Sequence, residues 1–130
     1  MNHAPIPEDL RRFVLTSIPS VPFLEALLLL RADPSQSWES AMLASRLYTR
    51  ERVAHALLAD LCTAGFAEPC EAPAEHCYRY RPASESLRER IDALADVYAK
   101  QLVDVTNLIH STLDRKAQQF ADAFRLRKDA

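Results

Sequence analysis

The chain has 130 residues, 48% of them apolar and 26% charged, which excludes an intrinsically disordered segment and suits one modest domain with its own core. Sixteen basic and eighteen acidic residues leave a formal charge of −2, so no strong non-specific pull toward nucleic acid or an anionic membrane is expected. The longest apolar run, ALLLL at 26–30, is far too short to span a bilayer, and MNHAPIPEDLRRF lacks the basic and apolar regions of a signal peptide.

Residues 1–7 carry two prolines and read as a loose arm. PEDLRRFVLTSI then places Leu10, Phe13, Val14 and Ile18 at helical spacing. A break at PSVP follows, where Ser20 can cap a helix that has Pro22 in its first turn. FLEALLLLRA is apolar nearly all round, the pattern of a buried central helix, and DPSQS ends it. WESAMLASRL predicts a short helix with Met42, Leu43 and Leu47 inward, and Trp38 plugs the core at its start or on an adjoining short strand. YTR is a tight connection with Thr49 as the expected helix cap. The next helix, within 50–64, turns Val53, Leu57, Leu58 and Leu61 to its packed side.

Gly65 is the only glycine in the chain. It falls one residue past that helix, where the backbone commonly turns left-handed and glycine adopts the conformation at least cost. FAEPCEAPAEHCYRYRP then predicts a β-hairpin, with Phe66 leading the first strand, EAPAE as the turn and CYRYR as the return strand. Tyr78 and Tyr80 share one face of that strand, and Cys77, Arg79 and Arg81 share the other. Pro69 places the first strand at an edge. Ser84 can cap a final helical segment with no proline or glycine from 83 to 130. Leu87, Ile91, Leu94, Tyr98, Leu102, Val105, Ile109 and Leu113 advance through it by threes and fours, as one long helix or two, with VDVT at 103–106 as the weak point.

The expected fold class is mainly α with a small β-hairpin, divided into an arm and helix (1–20), a central unit (21–82) and a C-terminal helical segment (83–130). The central unit resembles the winged helix-turn-helix superfamily. The resemblance is carried by W-x-x-x-x-L-A-x-x-L at 38–47, by V-x-x-x-x-L-x-x-L-x-x-x-G-F at 53–66, and by the aromatic return strand YRY. The flanking helices, 8–17 and 84–127, resemble the dimerising ends of MarR-like or PadR-like bacterial regulators.

The resemblance implies a cytoplasmic, homodimeric transcriptional regulator that binds double-stranded DNA through the helix 50–64 and the wing 66–82. It assigns DNA contacts to Thr49, Arg50, Arg52 and His55 at the exposed start of the reading helix, to Arg46 on the helix before it, and to Arg79 and Arg81 on the wing. Arginine can fork onto guanine O6 and N7, and threonine can hold a phosphate. Local charge keeps a second reading open. Residues 38–66 carry Arg46, Arg50 and Arg52 against Glu39, Glu51 and Asp60, and 67–83 carry Arg79 and Arg81 against Glu68, Glu71 and Glu75. Most DNA-binding faces are basic stripes, so the alternative is a winged-helix module that binds protein.

Other candidate constellations are thinner. The three cysteines include no C-x-x-C, and His76 and Cys77 are adjacent on a strand, so no metal or cofactor is expected. Cys70 and Cys77 would form a disulfide or a thiol switch if they oppose each other, but reduced thiols filling a half-buried hairpin are the default. Cys62 is expected to pack in its helix, and His110 to be a buried, hydrogen-bonded histidine. His3, in the arm, carries no signal. One glycine excludes the usual phosphate loops and no nucleophile–base set stands out, so no enzyme activity is expected. In the C-terminal segment, an apolar stripe that water would penalise at roughly 25 cal/mol per Å² must fold back on the domain, bind another protein or pair with a second copy, the commonest solution. Phe120, Phe124 and Leu126 continue that stripe in the tail, with Arg125, Arg127 and Lys128 around them.

Overall fold

The computed structural model describes residues 5–70 and 77–129, with the side chains of 112–114 and 124–129 outside the description. The expected turn 71–75, His76 and His3 lie outside the described residues, as do the side chains of Leu113, Phe124, Arg125, Leu126, Arg127 and Lys128.

Helix α1 (Glu8–Ser17) turns Leu10, Phe13 and Val14 inward. Helix α2 (Val21–Ala32) begins where the Ser20 hydroxyl accepts the Phe23 N–H at 3.2 Å, with proline in its first turn, and it leaves α1 at 108°. Its apolar circumference is explained by depth: Phe23, Leu24, Ala26, Leu27 and Leu30 are buried. Helix α3 (Ser40–Leu47) and helix α4 (Glu51–Thr63) follow, packed closely on one another. Two corrections fall here. Arg50, not Thr49, occupies the residue before α4, and no side chain caps that end. Val53 is 39% exposed rather than packed, because the buried stripe runs through Ala54, Leu57, Leu58 and Leu61.

Gly65 takes φ 85, and Phe66 then drops into the core against the edges of Phe13 and Phe23. Strands β1 (Ala67–Pro69) and β2 (Tyr78–Tyr80) pair antiparallel, with Glu68 opposite Arg79. Trp38 joins the other edge of β2: its N–H donates to the Tyr78 carbonyl at 2.7 Å, and the Tyr78 N–H returns at 2.9 Å. The hairpin is thereby fastened to the residues that lead into α3, and Pro69 lies on the outer strand, where its missing N–H is harmless.

The C-terminal segment is two helices, α5 (Glu85–Lys100) and α6 (Leu102–Asp129). Ser84 caps the first by accepting the Leu87 N–H at 3.1 Å. The break falls at Gln101, just ahead of the β-branched patch at 103–106. Ile91 and Leu94 of α5 and Val105 and Ile109 of α6 are fully buried, and both helices pack on α1. His110 is exposed, contrary to expectation, because the buried stripe of α6 passes through Ile109. Further along, burial falls away. Residues 115–123 are exposed throughout, and Phe120 is 75% exposed. Among the described residues, no single helix is long and apolar enough to cross a membrane.

Candidate nucleic-acid interface

The structure places the sequence-predicted residues on the helix pair α3–α4, on the link between them and on the hairpin, but not in one condition. Tyr48, Thr49 and Arg50 form the entire link between the two helices. The link is tight because the Tyr48 backbone is left-handed (φ 55) and the Thr49 N–H reaches back to the Ala44 carbonyl at 3.0 Å. This places Arg50 immediately before α4 and Arg52 in its first turn. Both are exposed, and among the described residues neither has an ion-pair partner. The unbonded N–H groups of a helix start favour an anion. Glu51, in the same turn, offsets part of that field.

The other predicted contacts are engaged. The Arg46 guanidinium lies over the Trp38 ring, 5.8 Å from its centroid, which fixes it along the side of α3. His55 Nδ1 shares a 3.3 Å hydrogen bond with the buried Ser40 hydroxyl, so its ring ties α4 to α3. On the hairpin, Glu68 gathers both arginines: Arg79 Nε donates to Oε1 at 2.7 Å, and Arg81 Nε lies 4.0 Å from Oε2. These pairs are solvent-facing, with the Arg79 and Arg81 side chains 44% and 67% exposed. An exposed pair is worth about 0.2–1 kcal/mol. A phosphate can therefore compete for either arginine.

Cys70 and Cys77 correct the reduced-thiol expectation. They oppose each other with Cα atoms 5.2 Å apart and are joined as a disulfide, while the Cys70 N–H donates to the Cys77 carbonyl at 2.8 Å. The bond closes the hairpin one pair beyond Pro69 and Tyr78. Cys62 is a free thiol. Among the described residues, no three His, Cys, Asp or Glu side chains come together to hold a metal ion.

Behind the hairpin, the Tyr80 ring is buried under the Arg88 guanidinium, 5.6 Å from its centroid. Burial raises the Tyr80 phenol above its ordinary 10.0, and the Asp92 carboxylate adds to the shift. Asp92 is itself held by Arg31 at 2.9 Å, which ties α2 to α5. A concavity of about 670 Å³ lies elsewhere, between α1 and α6. It is an open groove between Ile6 and Arg11 on one side and Asp104 and Asn107 on the other.

Sequence reasoning passed over Tyr48, which is 96% exposed at the apex of the link. The available signal was negative: a three-residue connection between helices needs a left-handed residue, and YTR contains neither glycine nor asparagine to take it. Comparison with protein-family models gives no match, and comparison with curated proteins gives none either.

Proposed function

We propose that the chain is a winged helix-turn-helix DNA-binding protein, a cytoplasmic regulator of transcription that acts as a homodimer. The observation that carries this reading is the pair Arg50 and Arg52, exposed and unpaired among the described residues at the start of α4. A helix presented end-on with two free guanidinium groups suits the major groove, where a forked arginine reads guanine. The hairpin supplies Arg79 and Arg81 as phosphate grips once Glu68 yields them. Dimerisation is supported by the exposed half of α6. At about 1.5 Å per residue its 28 residues span about 42 Å, and residues 115–123 are exposed. A symmetric partner would cover Phe120 and set two α4 helices side by side.

One observation favours the second reading, a winged-helix module for protein contact. Arg46, Arg79 and Arg81 are each committed within the fold, while Tyr48 on the link and Val53 on α4 present apolar surface.

Anisotropy titration against a random pool of short duplexes, at rising salt and with and without reductant, separates the two. Micromolar binding that falls steeply with salt, and that drops in Arg50→Ala/Arg52→Ala, supports DNA recognition. Absence of binding at low salt in both redox conditions overturns it. Sedimentation of the chain and of Phe120→Glu tests the dimer: the reading requires two copies in the first and a shift toward one in the second.

A further inference from the structure

Helices α3 and α4 end in the same backbone motif. In each, an N–H just past the helix is donated five residues back, by Thr49 to Ala44 at 3.0 Å and by Phe66 to Leu61 at 2.9 Å. In each, the residue just before that donor is left-handed, Tyr48 at φ 55 and Gly65 at φ 85. The motif ordinarily takes glycine there because an L side chain crowds its own backbone in that region. At the inner site the chain spends its only glycine. At the outer site it holds a tyrosine, among the residues for which this region is a true outlier.

The fold gains nothing visible from that choice. The Tyr48 side chain is 96% exposed and, among the described residues, makes no hydrogen bond or ring contact. A strained backbone under a fully solvated aromatic ring is an outlier that asks for a ligand rather than a packing reason. Its surroundings say which kind. Tyr48 is followed directly by Thr49 and Arg50, with Arg52 in the next turn, so a hydroxyl donor stands at the rim of a cationic helix start.

We propose that Tyr48 is a phosphate-contacting residue of the interface, its phenolic O–H donating to a backbone phosphate beside the step read by Arg50 and Arg52. The assignment rests on the DNA-binding reading above. Tyrosine suits this role because its hydroxyl ends a rigid arm with few rotors to freeze, and its contact positions the helix without reading a base. A neutral donor releases no counterion of its own, which distinguishes it from the arginines.

The test compares wild type, Tyr48→Phe and Tyr48→Gly in two measurements: affinity for the random duplex pool across salt, and the denaturant midpoint of the free protein. A hydrogen bond to a charged acceptor corresponds to about a tenfold loss. Tyr48→Phe is expected to weaken binding about tenfold with its salt slope and unfolding midpoint unchanged. Tyr48→Gly is expected to weaken binding at least as much while raising the midpoint, since it relieves the left-handed strain. Affinities within twofold of wild type in both variants overturn the proposal and leave the DNA reading standing. A lower midpoint in Tyr48→Gly overturns it as well, because the ring would then serve the fold. Wild type that binds no duplex overturns both.

Discussion

Reduction of the Cys70–Cys77 bond offers a sharp test of how the hairpin is held. The two cysteines are seven residues apart, so the bond closes a ring of eight. In the chain-entropy account, releasing a ring of that size returns about 8 cal/mol/K to the unfolded chain, or about 2.5 kcal/mol at 25 °C. An unfolding entropy of about 2.1 cal/mol/K per residue converts this to a fall of roughly 9 °C in Tm for a chain of this length. The readout is built in. Trp38 is the only tryptophan, it is 2% exposed, and it is bonded edge-on to Tyr78 of the hairpin. Its fluorescence in a urea titration, with and without dithiothreitol, reports the unfolding of the element concerned. Cys70→Ala/Cys77→Ala should reproduce the reduced protein without burying a new polar group at position 77, where the cysteine is 5% exposed. One titratable thiol before reduction and three after is the expected count. A stability difference under about 0.5 kcal/mol would refute the reasoning, since the ring would then constrain nothing that unfolding releases.

Two further outcomes follow from single residues. Gly65→Ala should cost about 1–2 kcal/mol from the left-handed backbone alone, because the nearest atom to an added Cβ, Ala83 Cβ at 3.4 Å, leaves room for it; an unchanged urea midpoint would sink this. The Tyr80 phenol titrates above 10.0 when folded, through burial first and the Asp92 charge second. Folding therefore retains a proton that the unfolded chain gives up. Stability is fully present below pH 10 and declines as pH rises through the folded pKa. Tyr80→Phe should flatten that decline in an alkaline unfolding series, and an equally steep fall in the variant would refute the assignment.

Much of this architecture was written in local sequence signals. Ser20 and Ser84 cap the helices they precede because a short hydroxyl side chain can accept from the N–H three residues on, whatever lies around it. Gly65 marks its turn for the same kind of reason. Where several elements compete for one residue, local pattern failed. The spacing that placed Val53 inward was off by one position, and His110, set beside the correctly read Ile109, proved exposed. Periodicity gives a stripe, and only the neighbouring elements decide which edge of it is covered.

The candidate interface divides along the same line. Sequence alone determined that Arg50 and Arg52 stand at the start of a helix, since apolar spacing and the short link YTR are properties of adjacent residues. Tertiary structure alone decided which cations are free. Arg46 meets Trp38 nearby in the chain, but Arg79 and Arg81 are drawn to Glu68 only because the hairpin register sets Glu68 opposite Arg79. It also joined Cys70 to Cys77 across that register and left Tyr48 in solvent on a left-handed backbone. Pairing, oxidation partners and exposure depend on which distant atoms come within a few ångströms, and that is a property of the packed chain rather than of any stretch of it.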